Sequence, residues 1–175
     1  SVETSNVLAI KKFNPDICCF SVVTAHYLWA LKMAERVKKE VGCKIIFGGV
    51  HPTLVPEEVR RHSFIDEVVV GCGIEYFGGK FDPDNLYPER EMFLKELPPE
   101  HRKEQLFMTS FGCPFNCSFC GNEQLRKVNK HRMIRRTVEG CIKELEHLKE
   151  RGMKYVLFVD DIFTCDSVWL LDFLV

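Results

Sequence analysis

The chain has 175 residues, enough for one ordinary domain or two small ones, and its 46% hydrophobic and 28% charged residues support a buried core. With 24 Lys+Arg against 25 Asp+Glu, the formal net charge of −1 gives no basic stripe for a nucleic-acid partner. No apolar run approaches the roughly 20 residues of a membrane span, and the opening Ser-Val-Glu-Thr-Ser-Asn has neither part of a signal peptide.

Residues 16–21 read as a short buried strand. A helix follows over 25–41, with Leu28, Leu31, Val37 and Val41 at helical spacing and Gly42 at its end. Residues 44–47 form a second strand that runs into Gly48-Gly49. Pro56 opens a short helix over 57–62, and a third strand over 67–70 is closed by Gly71. Strands separated by helices predict a parallel sheet with right-handed crossovers. Glycine, proline and dense charge over 75–105 mark a linker between an α/β domain at 1–74 and a second unit at 106–175. In that unit a strand over 106–110 ends before a cysteine loop. A helix over 137–151 places Val138, Cys141, Ile142, Leu145 and Leu148 on one face. The strand 155–159 delivers Asp160-Asp161 at its carboxyl end, and Asp166 or Ser167 caps a last helix through Leu174.

The nine cysteines are odd in number and irregularly spaced outside one cluster, unlike a secreted disulfide framework. They point to a cytoplasmic chain with reduced thiols and one metal site. Cys18, Cys19 and Cys141 read as small core residues. The cluster is Cys113, Cys117 and Cys120, a Cys-x-x-x-Cys-x-x-Cys loop. Three thiolates without a fourth leave a coordination position open on an iron–sulfur cluster. A zinc structural or interaction module is the rival, with His131 as the fourth ligand. Simple electron transfer would use four thiolates on one cluster.

The cysteine spacing, Phe119 before the last cysteine and the strand leading into the loop resemble the radical S-adenosylmethionine superfamily. That resemblance implies a 4Fe-4S cluster held by Cys113, Cys117 and Cys120. It further implies S-adenosylmethionine on the fourth iron and cleavage to a 5′-deoxyadenosyl radical. The 106–175 segment then supplies the first strands of a partial TIM-type (β/α) barrel. The stretch Phe158-Val-Asp-Asp-Ile-Phe163 resembles cobalamin-linked members, which implies a cofactor role for Asp160 or Asp161. The plain alternative is an acidic turn that starts the next helix. Phe119 joins the implied cofactor-contacting residues, and the resemblance implies an external electron donor such as a flavodoxin or ferredoxin.

Gly48-Gly49 is not a Gly-x-Gly-x-x-Gly fingerprint, which leaves a nicotinamide cofactor with little support. Ser21 and Gly48-Gly49 instead resemble the cobalamin-binding domain, a Rossmann/flavodoxin-like fold, with Val23 where Leu is usual. The implied cofactor is cobalamin at the carboxyl edge of the sheet, contacted by Ser21, Gly48 and Gly49. The Asp-x-His-x-x-Gly element of that family is absent, as it is from many radical-enzyme relatives. His51 reads either as a ligand-loop residue or as a surface histidine ordering the turn before Pro52, and His26 as structural. A radical enzyme that binds no cobalamin is the nearer rival. The implied reaction is methyl transfer or C–C bond formation on an unknown small-molecule or peptide substrate, with catalytic residues unassigned. On this resemblance the chain is expected to be truncated at both ends and to show little turnover alone.

Overall fold

The structure is a computed structural model that describes residues 2–85, 87–94, 97–98, 103–129 and 133–175. It divides into two units, Ser1–Lys80 with Cys117–Lys130, and Phe81–Asn116 with His131–Val175. The stretch expected as a linker is therefore shared between them, changing sides at Lys80 and Phe81.

The first unit opens with α1 (Val2–Phe13), a helix the sequence reading did not anticipate. There follow β1 (Ile17–Ser21), a 3-10 turn at Thr24–His26, α2 (Tyr27–Glu40), β2 (Lys44–Gly48), α3 (Val50–Leu54), α4 (Pro56–Val59), β3 (Glu67–Val68) and α5 (Gly73–Tyr76). The three strands form a parallel sheet in the order β1-β2-β3, with Ser21 opposite Gly48 and Phe47 opposite Val68. The central strand is covered on both faces, as parallel strands usually are: Ile45, Ile46 and Phe47 are all buried. Its neighbour β1 is half-exposed, so Cys19 lies at the surface and not in the core. Cys18 does pack on the core, where burial, with lesser help from Cys43 and Cys19, pushes its thiol up to about 11.

Helix α2 buries Tyr27, Ala30, Met33, Ala34 and Val37. This stripe lies to one side of the expected one: Leu28 is 73% exposed. Small residues at 30 and 34 let the helix sit close to Ile45 and Phe47, and α1 adds Val7 to the same cluster. Asp66 ties the sheet's amino end. Its carboxylate accepts the Ile45 N–H at 2.6 Å and the Lys38 ammonium at 2.7 Å.

The second unit carries α6 (Glu91–Leu94), β4 (Glu104–Phe107) and β5 (Ser110–Gly112). Helix α7 (Asn122–Asn129) intervenes and belongs with the first unit. The second unit resumes with β6 (Met133–Arg135), α8 (Val138–Glu150), β7 (Tyr155–Phe158) and α9 (Ser167–Leu174). β4 and β7 pair in parallel, with Phe107 opposite Phe158. β5 and β6 form a short antiparallel pair that the sequence did not show. Phe107, Cys141 and Leu148 are the buried centre, flanked by Leu145, Met153, Val156, Trp169 and Phe173. Burial pushes the Cys141 thiol up to about 11. On the other face of the strand pair, Leu106 and Leu157 stand opposite one another and exposed.

Helix α8 is capped by Thr137, whose hydroxyl accepts the Gly140 N–H at 3.0 Å. Its buried face differs from expectation, because Ile142 is exposed and Glu144 is 1% exposed. Glu144 is charge-balanced by Arg136 at 2.6 Å and Arg90 at 2.6 Å, while Asp84 accepts the Thr137 N–H at 3.0 Å. Asp84 and Arg90 come from the stretch 75–105, and these bonds hold them to the second unit.

Replacing Glu144 by Ala leaves buried Arg136 with only the longer 3.8 Å contact to Asp84 and is expected to destabilise the second unit by about 3 kcal/mol, read by urea unfolding. Asp66 titrates lower than its ordinary value of 3.8, first through the Ile45 N–H and then through Lys38. Its contribution is thus complete above that value and is lost as pH falls through the depressed one. The urea midpoint of the first unit should drop with acidification below about pH 4, and Asp66→Asn should flatten that dependence.

Candidate functional site

The carboxyl edge of the three-stranded sheet is built by hydrogen bonds between successive loops. The Val22 N–H donates to Gly48 O at 2.8 Å, and the His51 N–H donates to Val22 O at 2.9 Å. The chain leaving β2 therefore crosses directly against the chain leaving β1. Gly49 makes the crossing with φ +93°, and a Cβ there would stand 2.8 Å from Val22 N and 3.1 Å from Ser21 Oγ. No side chain fits that gap. Gly48 is different: a Cβ would meet Val69 Cβ at an ordinary 3.5 Å. The Gly-Gly pair thus has one obligatory glycine and one permissive one. Thr53 completes the edge, donating its hydroxyl to Gly49 O at 2.7 Å and accepting the Gly71 N–H at 3.1 Å.

In front of Ser21 lies an open cleft of about 410 Å³ lined by Phe20, Ser21, Val22, His26, Trp29 and Ala30. Apolar walls around a few polar groups are the usual make-up of a ligand site, and the volume falls in the usual range. The glycines do not line it. They act behind it, by letting β2's exit close on Ser21 and Val22. Trp29 and His26 were not singled out as ligand-facing, although both follow the strand end at which open α/β sheets bind.

His51 is not a surface residue: it is 7% exposed, its ring lies 4.0 Å from that of Tyr27, and Nδ1 is 3.1 Å from Thr24 Oγ1. Its Nε2 and the Tyr27 hydroxyl are buried without a hydrogen-bond partner among the described residues. Burial, and secondarily Glu58, raises the Tyr27 phenol. His51 thus braces the Gly49 crossing from beneath.

The cysteine segment begins at Gly112, which ends β5 with φ +84°. Cys113 is half-buried, whereas Cys117 and Cys120 are exposed and joined by a turn in which the Cys120 N–H donates to Cys117 O at 3.0 Å. Phe119 is 92% exposed. Three soft thiol donors within eight residues suit an iron–sulfur cluster or zinc in kind. Among the described residues, no three His, Cys, Asp or Glu side chains are gathered into a metal-binding group. Metal capture supplies gathering energy of its own. His131, the fourth ligand of the zinc alternative, lies outside the described residues.

Asp160 is tied to Thr109 and Ser110. Its carboxylate accepts the Thr109 N–H at 3.0 Å, the Thr109 hydroxyl at 2.7 Å and the Ser110 hydroxyl at 2.6 Å. Both donor residues are fully buried. Asp160 therefore fastens the end of β7 to the start of β5, the strand that leads into Cys113, and does not begin the next helix. Asp161 follows it at the surface. The cap of α9 is Asp166, which accepts the Trp169 N–H at 3.0 Å. Arg135, unnoticed in the sequence, lies over the Trp169 ring at 4.6 Å and reaches Cys165 Sγ at 3.0 Å.

Residues 2–78 match the B12 binding domain family. An uncharacterized methyltransferase of Pyrococcus horikoshii is 30% identical over 204 residues, a match that covers 93% of this chain and 43% of that protein. The bacteriochlorophyllide d C-12(1)-methyltransferase of Chlorobaculum tepidum is 25% identical over 166 residues, 84% of this chain and 36% of that enzyme. The chain thus spans less than half the length of these curated relatives. No solved structure matches it significantly. The parallel sheet with its helices is consistent with a B12-binding, Rossmann-like domain over residues 2–78.

Gly49→Ala should destabilise the first unit by about 1–3 kcal/mol, whereas Gly48→Ala should leave it nearly unchanged. Thermal unfolding of the two variants side by side checks the contrast.

Proposed function

We propose that the chain serves cobalamin-linked methyl transfer. Cobalamin is held at the carboxyl edge of β1–β3, and a 4Fe-4S cluster on Cys113, Cys117 and Cys120 binds S-adenosylmethionine. The observation that carries the first half is the cleft at Ser21, apolar-walled and set where the Gly49 crossing brings two strand ends together. Support for the second half is the donor chemistry of the three thiols. The two methyltransferase relatives also match well past residue 78, into the segment that carries the cysteines.

When bound, cobalamin supplies a methyl-carrying cobalt centre, and a reduced cluster supplies the electron that opens S-adenosylmethionine for carbon activation. The residues of this chain bind and position. Ser21 presents a hydroxyl to the cleft, while Phe20, Trp29 and Ala30 exclude water from its walls. Asp160 sets the direction in which β5 delivers Cys113. Phe119 offers an apolar surface one residue before Cys120, and Asp160 or Asp161 is the acidic group for the methionine end. An external donor of the flavodoxin or ferredoxin type supplies the electron in this reading. The substrate proposed is a small molecule or peptide. The setting proposed is the cytoplasm, since exposed Cys117 and Cys120 need reducing conditions. Among the described residues no helix is long and apolar enough to cross a membrane.

Anaerobic reconstitution with iron and sulfide is expected to give a brown protein with about four irons per chain, and Cys113→Ala, Cys117→Ala or Cys120→Ala should abolish it. Hydroxocobalamin should co-elute with the protein whether or not those cysteines are present. A single tightly held zinc without the broad visible band sinks the cluster half; failure to retain hydroxocobalamin sinks the cobalamin half.

A further inference from the structure

Helix α7 lies far along the chain from β1–β3, yet it belongs with them in the first unit, together with Cys117 and Cys120 just before it. It packs on α3, the turn of helix that starts from Gly49. At its leading end, a Cβ on Gly121 would stand 3.6 Å from Leu54 Cδ1. At its far end, a Cβ on Gly71 would meet Val128 Cγ1 at 3.2 Å and Asn129 Oδ1 at 3.3 Å. Gly71 in turn donates to Thr53, and Thr53 to Gly49 O. The helix therefore rests on the loops leaving both β2 and β3, which are the loops of the cofactor edge. Its hold is moderate, since none of its residues is fully buried.

We infer that α7 is the coupling element between the cobalamin edge and the cysteine segment. The inference rests on the cofactor reading above. A ligand that stiffens Gly49 to Leu54 lowers the entropy lost in keeping α7 docked, so α7 and the Cys117–Cys120 turn before it become ordered together. The coupling is reciprocal: fixing Cys117 and Cys120 by metal tightens the hold on cobalamin. The B12-binding match ends at residue 78, but the working edge extends to residues 117–129.

The test is amide hydrogen exchange on the full chain with and without hydroxocobalamin. Added ligand is expected to slow exchange about fivefold or more over both 48–54 and 122–129. Val128→Asp, at a half-buried position, should weaken hydroxocobalamin about fivefold or more while leaving the melting of the first unit unchanged. Protection confined to 48–54, or unaltered affinity in the variant, overturns the inference while the cofactor reading stands. If the wild-type chain does not retain hydroxocobalamin, both fall. The exchange comparison needs no variant, so a misfolded Val128→Asp does not shelter the idea.

Discussion

At the carboxyl edge of the sheet, two chain segments cross at a spacing that admits no side chain. Gly49 passes so close to Ser21 and Val22 that a Cβ would lie inside contact distance of the Val22 amide. From that crossing the local architecture follows. The Val22 N–H donates to Gly48 O and the His51 N–H to Val22 O across it, Thr53 locks it to the turn after β3, and α3 starts from it. The crossing also holds Ser21 at the mouth of the cleft. A cofactor edge of this kind is made by backbone fit, and side chains such as Phe20 and Trp29 then give it an apolar lining.

The second unit organises its strand ends by a different device. Three donors converge on one carboxylate, Asp160, and charge-assisted bonds of this kind are the stronger ones. Beneath them, the buried Glu144 is neutralised by Arg136 and Arg90. A pair this dry costs desolvation, and its value lies in what it joins. Arg90 and Asp84 come from the stretch 75–105, and their bonds to Glu144 and to the Thr137 N–H join it to α8 and its cap.

Much of the fold was legible because it follows local rules. The run Lys44 to Phe47 is apolar enough to be a buried strand, Pro56 and Gly42 mark helix ends, and Asp166 is a cap by residue type. What escaped depended on distant neighbours. Helix α1 mixes apolar and polar residues, and only where Val7 meets the α2 stripe is its role visible. The β5–β6 pair joins Ser110 to Arg135 across a long loop, which no period in either segment announces. Leu28 has the right spacing for a core face, yet the small Ala30 and Ala34 let the helix approach along a neighbouring stripe.

The sequence by itself determined the chemistry on offer: three clustered thiols, a Ser and Gly-Gly at strand ends, two aspartates after a strand. Residue type and strand-end position carry that information, and both can be read one residue at a time. Only the tertiary structure decided what each group is used for. Asp160 gained the role of a strand tie, and the surface reading of His51 gave way to a buried brace. The two glycines separated into one that must stay and one that need not. Each of those outcomes is a distance to a partner tens of residues away, and such distances exist only once the chain has folded.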